Sequence, residues 1–340
     1  MIKFLLIVIF HYVINKIFIL KNFLLDQQNI SPHKKKVLSG LKTPLSGGFI
    51  FIISIIFLNL NLGNVLLYSL FILYLVGIAS DIDYISSARI RLFFQTLCIL
   101  FCIILNDLSL KNLSIELLNQ LLEIKIFNII ILTLCLLILI NGFNFLDGIN
   151  TLVVGNFIIC ILSLYYVSDS NKLILDFIII KNLLIILTVI YIFNFFGKSF
   201  LGDSGTYSMS FLIGILSINF AYDNYLVISP YFIACLLWYP AIENLFTITR
   251  RLFFSKEISK PDNLHLHHLL FNRIKKNASS RSNLFINTVT GVFINMYIAI
   301  PAVIGTFYFN HTRSLLIIIG SNSLIYLIMY CILYKKNKLR

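Results

Sequence analysis

At residues 126–150 the chain reads "IFNIIILTLCLLILINGFNFLDGIN", and its two halves ask for different surroundings. Residues 126–140 are almost wholly apolar; the ten that follow hold three asparagines and an aspartate. An apolar run of this type belongs in lipid, where a helix crosses the hydrocarbon in ~17–25 residues. The polar half carries Asn141, Asn144 and Asp147 three apart, so a helix would align them on one face. Asn, Gly and Asp are also ordinary turn formers. The regular spacing and the interrupting Phe145-Leu146 weigh against a plain turn. A carboxylate and two amides on one face suit a nucleotide base or a metal-bound diphosphate.

The same apolar texture covers the 340-residue chain, which is 59% hydrophobic and 12% charged with a mean hydropathy of +0.92. A soluble domain would carry about twice that charged fraction. The sequence therefore predicts an all-α, polytopic membrane bundle, a single integral membrane domain over 1–340. Eleven crossings are expected near 3–20, 45–61, 64–79, 91–106, 125–140, 152–168, 174–193, 205–221, 226–246, 284–308 and 314–334. The opening apolar segment lacks a small-residue cleavage site and reads as a retained first helix. All six cysteines sit in apolar runs and imply no disulfide framework.

A net charge of +13 would suit nucleic acid in a soluble protein; in this one it reflects cationic loops on one side. The loops around 21–42, 89–91, 198 and 250–281, with the tail at 335–340, hold 20 of the 27 Lys and Arg residues. The positive-inside rule places these loops and the C-terminus in the cytoplasm and the N-terminus outside. No nucleic-acid partner is expected. The polar clusters near 31–44, 80–90, 141–150, 194–204 and 250–282 all fall on that side.

In "FLGDSGT" (200–206), Asp203 lies between glycines where a helix begins, as an N-cap or as a Mg²⁺ ligand. "SDIDY" (80–84) sets Asp81 and Asp83 at the membrane surface of an acid-poor chain, either as a site or as partners of Arg89 and Arg91. "HLHH" (265–268) gathers His265, His267 and His268 among cations. It lacks the usual zinc spacing, and phosphate handling fits it better. The basic run Lys34 to Lys36 suits a lipid phosphate or simple attraction to anionic lipid.

In this order the motifs resemble the polyprenyl-phosphate N-acetylhexosamine-1-phosphate transferase family, glycosyltransferase family 4. Pro44, Gly47 and Gly48 resemble its basic loop, and Asp81 through Arg91 and Gln95 its acidic loop. Asn141, Asn144, Asp147 and Gly148 match its N-x-x-N-x-x-D-G segment. Phe200, Gly202, Asp203 and Gly205 match F-x-G-D-x-G, with Asn194 upstream, and the three histidines match H-x-H-H. The resemblance covers residues from about 30 to 270. Three departures stand out: Ser80 where an aspartate usually precedes Asp81, Asn150 where a second aspartate is usual, and Thr206 where serine is usual.

The resemblance implies attack of polyprenyl phosphate on the β-phosphorus of a UDP-sugar, releasing UMP and starting a cell-envelope polysaccharide at a bacterial inner membrane. It implies Mg²⁺, with Mn²⁺ as a substitute, on Asp203 and Asn144, and Asp147 completing the diphosphate environment. Asn141 joins the substrate set, and Asn150, Asn194 and Phe200 are candidates for the uracil. Arg250 and the histidines would hold the diphosphate, Lys34 the lipid phosphate, and Asp81 or Asp83 would orient or deprotonate that phosphate. A homodimer is compatible with the sequence. The competing class is a transporter or flippase, which would place its ionisable residues near mid-membrane on broken, repeated helices.

Overall fold

Lipid offers no hydrogen bonds, so a chain this apolar must satisfy its backbone internally, and helices do so. The computed structural model describes residues 2–26, 43–253, 264–278 and 280–338, which form fourteen helices and no strand. They are α1 (Ile2–Lys21), α2 (Gly47–Phe57), α3 (Asn64–Asp81), α4 (Ala88–Leu105), α5 (Glu116–Leu122), α6 (Lys125–Leu146) and α7 (Leu152–Asn171), followed by α8 (Phe177–Phe195), α9 (Gly202–Asp223), α10 (Pro230–Leu236), α11 (Trp238–Phe253), α12 (Leu266–Asn277), α13 (Asn283–Phe307) and α14 (Thr312–Lys338).

Each of the eleven expected crossings coincides with a helix or a helix pair. Eight helices are long and apolar enough to span alone: α1, α3, α4, α6, α7, α8, α13 and α14. The other three depart from a plain span, each for a visible reason. Helix α2 has 11 residues, about 17 Å at the α-helical rise, so flanking extended chain must complete its path. Helices α10 and α11 form a pair bent by 74°, the geometry of a broken span or a re-entrant loop. Pro240 explains the break, since its ring opposes the carbonyl four residues back, that of Leu236 at the end of α10.

Helix α9 departs through composition. Sixteen of its residues are buried, among them Ser204, Thr206, Ser208 and Ser210. The last three donate to carbonyls of their own helix: Thr206 to Gly202 at 3.0 Å, Ser208 to Ser204 at 2.7 Å and Ser210 to Thr206 at 2.5 Å. Helix α9 is thus polar in sequence yet satisfied in the bundle interior. Packing in lipid depends on close backbone approach, which small residues permit. A Cβ on Gly77 of α3 would lie 2.3 Å from Ser204 Cα, and one on Gly48 of α2 would lie 2.5 Å from Gly205 N. Helices α2 and α3 therefore hold the first turn of α9 through glycine.

Helices α5 and α12 were not among the expected crossings and are too short to span. The histidine stretch, expected as a loop, begins α12, with His265 at its N-cap.

Candidate active site

The C-terminus of α3, the N-termini of α4 and α9 and the C-termini of α6 and α11 meet at one end of the bundle. Asp203, in the first turn of α9, is the centre of that meeting. Its Oδ2 accepts from Ser80 Oγ at 2.5 Å, Arg91 at 3.1 Å and Tyr207 Oη at 3.2 Å. Its Oδ1 accepts from the Asn144 amide at 2.7 Å. Arg91 also donates to Ser80 Oγ at 2.7 Å, closing a triangle between α3, α4 and α9. Arg91 and Asp203 side chains remain 27% and 23% exposed, so this ion pair faces an opening instead of being sealed in the core.

Asp81 does something the sequence did not suggest. Its Oδ1 and Oδ2 accept the backbone N–H groups of Asp203 at 2.8 Å and Ser204 at 3.1 Å. A carboxylate there satisfies orphan donors of α9 and complements its dipole. The backbone cooperates, because Gly202 sits at φ +71° and a Cβ there would lie 2.6 Å from Asp81 Oδ2. Asp83 lies on the following turn at φ +59°, exposed. Arg91, taken from sequence as a partner of the Asp81–Asp83 loop, pairs with Asp203.

The three residues expected on one helical face divide. Asn141 donates to Gln95 at 3.0 Å and Asn144 to Asp203, but α6 ends at Leu146. Asp147 is its C-cap at ψ 60°, turned off the helical face. Asn150 and Asn194 brace the turn after it. The N–H of Asn150 donates to Asn287 Oδ1 at 2.5 Å, and its amide to Thr288 at 3.3 Å. Asn194 accepts the Thr151 N–H at 2.5 Å and donates to the Ser199 carbonyl at 3.0 Å. Both asparagines are buried, with their side chains engaged by protein. Phe200 packs against the cluster of Phe18, Leu24 and Leu45. Lys34 lies outside the described residues.

The histidines meet the other side of this turn. His268 is half-buried, and a Cβ on Gly148 would lie 3.1 Å from its Cε1. The rings of His267 and His268 are 4.4 Å apart, and those of His265 and His267 are stacked at 5.3 Å. His267 is fully buried. Burial, with His268 and His265 adding to it, pushes its pKa well below the ordinary value and keeps the ring neutral. His267 is therefore a neutral imidazole packed under the cluster, not a cation. Arg250 and Arg251 are also buried, Arg251 standing 5.6 Å over the Phe145 ring. Beneath them Glu243, buried and absent from the sequence-based set, bonds His265 Nδ1 at 2.9 Å and Tyr326 Oη at 2.9 Å.

Among the described residues no three His, Cys, Asp or Glu side chains form a complete metal cage. The donor set nonetheless fits Mg²⁺, which takes one or two carboxylates and draws its remaining ligands from water and substrate phosphate. Asp203 offers such a carboxylate, 23% exposed, and Asn144 an amide beside it.

Fold and site together define a polytopic helical membrane protein whose polar groups converge at one bundle end. Comparison supplies a likeness: residues 63–221 match the family model described as glycosyl transferase family 4. The chain is 27% identical over 203 residues to a Bacillus subtilis (strain 168) protein named "Probable undecaprenyl-phosphate N-acetylglucosaminyl 1-phosphate transferase", covering 59% of this chain and 56% of that one. It is 28% identical over 162 residues to "Decaprenyl-phosphate N-acetylglucosaminephosphotransferase" of Mycolicibacterium smegmatis (strain ATCC 700084 / mc(2)155), covering 42% and 40%. The chain thus matches about half the length of these curated relatives.

Proposed function

We propose that this protein transfers a sugar 1-phosphate, N-acetylglucosamine 1-phosphate first among the candidates, from a UDP-sugar to polyprenyl phosphate. A lipid phosphate oxygen forms the new bond to the β-phosphorus, the bond to the α-phosphate oxygen breaks, and UMP leaves. The second pKa of the lipid phosphate, about 6, makes a strong protein base unnecessary. This agrees with an Asp81 occupied in holding the first turn of α9.

The observation that carries the reading is the convergence of four helices on Asp203. Phosphoryl-type transfer is mostly positioning and charge neutralisation, and Asp203 is held in place by Ser80, Arg91, Asn144 and Tyr207. Asp203 and Asn144 would hold the divalent cation, which supplies charge neutralisation on the diphosphate when bound. Arg91, already at the opening, is a second source of positive charge. His268, beside Gly148, is the histidine best placed to donate to a phosphate oxygen. Asn150 and Asn194 keep the Asp147–Thr151 turn in shape, a supporting role in place of base recognition. The basic loops favour a cytoplasmic site, where a nucleotide sugar would be supplied.

The test is UMP release by purified protein given UDP-N-acetylglucosamine, undecaprenyl phosphate and Mg²⁺. UMP should appear only when the nucleotide sugar and lipid phosphate are both present, and chelation should stop it. A transporter would move substrate across vesicles and release no UMP, and that pattern would overturn the reading.

A further inference from the structure

A carboxylate with no contact with water is costly unless its oxygens are filled by donors. Glu243 on α11 is such a group, with no exposed surface. Tyr326 of α14 reaches its Oε2 at 2.9 Å, and His265 Nδ1 its Oε1 at 2.9 Å. Tyr326 Oη donates to the carboxylate. The second bond requires a hydrogen on His265 Nδ1, because an ionised carboxylate can only accept. Thr247 Oγ1 lies 3.4 Å from the same nitrogen, a weaker contact. The His265 ring is otherwise held between Phe145 of α6, 5.2 Å away, and the stacked ring of His267.

We propose that Glu243 is the positioning residue of the histidine cluster, fixing the hydrogen of His265 on Nδ1 and tying the start of α12 to α11 and α14. His265 then cannot turn its ring or exchange tautomers without leaving a buried carboxylate oxygen without its donor. His267 and His268 follow it in the first turn of α12, so the same anchor sets where the His268 ring meets Gly148. Carboxylates that orient imidazoles in this way fix both ring direction and tautomer. The effect on turnover rests on the transferase reading above; the tautomer itself does not.

The experiment is ¹⁵N NMR of histidine-labelled protein in lipid nanodiscs, with His265 identified by the signals lost in H265Q. UMP release is measured on the same preparations. Wild-type His265 should show a hydrogen-bearing Nδ1, and E243Q should move both its nitrogen signals while lowering kcat/KM about tenfold or more. Y326F keeps the carboxylate but removes its other donor, so it should shift the Nδ1 signal without abolishing it. It also provides the reading if E243Q fails to insert. A hydrogen on Nε2 in the wild type, or His265 signals unmoved by either variant, would overturn the proposal. An Nδ1 hydrogen in a protein that releases no UMP would leave the anchor standing and defeat the transferase reading instead.

Discussion

A single carboxylate can brace a helix or bind a ligand, and at Asp81 and Asp203 substitution separates the two roles. Asp81 fills two backbone N–H groups with two oxygens, so D81N keeps one acceptor and turns an NH2 toward the other N–H. D81N should therefore lower the melting temperature, and D81A should lower it further. If D81N loses stability but keeps its rate of UMP release, Asp81 is a brace alone; a fall in rate out of proportion to the lost stability would return it to the chemistry. Asp203 accepts four donors on two oxygens, so D203N sets an NH2 against either Asn144 or the Ser80, Arg91 and Tyr207 donors. UMP release should fall at least ~100-fold, the scale of losing a preorganised electrostatic group, and full activity in D203N would refute its central role. His267 gives a pH prediction. Its pKa in the fold lies well below the ordinary value of about 6.5, so the unfolded state binds the proton first as pH falls. Stability is then intact above about 6.5 and is lost progressively below it, by up to ~1.4 kcal/mol per pH unit for one proton. Melting curves at pH 7.5 and 5.0 should differ, and H267N should narrow the difference; an equal gap in the variant would exclude His267 as its source. That Asp203 and the histidines belong to polar clusters was visible in the sequence because their motifs are local. The roles of Asn150 and Asn194 were not, since their partners Thr288, Asn287 and Ser199 come from other segments.

At the scale of an element, α9 explains how a polar sequence enters an apolar bundle and how its first turn stays in register with α3. Alternating Gly and Ser over 202–210 could be read as a helix start, and was; its near-complete burial could not, because that depends on glycines in α2 and α3. Gly77 tests this. An added methyl would lie 2.3 Å from Ser204 Cα and 2.4 Å from Ser204 N, which are backbone atoms without a rotamer to give way. Overpacking of this sort costs about 1–3 kcal/mol. The strain falls on the turn that presents Asp203, so G77A should lower both the melting temperature and UMP release, the latter about tenfold or more. Gly320 in α14 is the control, since a Cβ there meets nothing within 4 Å. G320A should behave as wild type, and a G77A protein equal to it would show that α3 does not hold α9 this closely. Helix α12 escaped the sequence reading for a related reason. Its histidines and cations look like a solvated loop, and only Glu243 and the faces of α13 and α14 make it a packed helix. Glu243 itself left a signal, an acid in the last turn of the crossing expected at 226–246, where an ionisable residue marks a site by default.

For the whole molecule, antiparallel threading puts the ends of alternate crossings on the same side, and this is why a site can be built from segments more than a hundred residues apart. The polar end gathers Asp81, Arg91, Asn144, Asp147, Asp203 and the histidines. The opposite end is tied by separate contacts, among them Ile174 with Asn224, Lys125 with Asp107 and Ser229 with Thr312. It also bears two clefts of about 450 and 400 Å³ that share Asp107, Leu108 and Ser109. Charge predicts which end is which, because among the described residues Lys21, Arg89, Arg91, Lys198, Arg250 and Arg251 lie at the polar end. The helical threading was legible from composition alone, since lipid forces helices; the orientation rests on the cation bias. The prediction is direct. In a variant with all six native cysteines replaced, S86C lies on the exposed turn between α3 and α4 and S170C on the exposed last turn of α7, at opposite ends. A membrane-impermeant maleimide applied to intact cells should label S170C and spare S86C until the membrane is opened. Labelling of S86C from outside would put Asp203 and its partners on the external face, away from any cytoplasmic nucleotide sugar. The proposed reaction would then lose its donor even with every distance in the site unchanged.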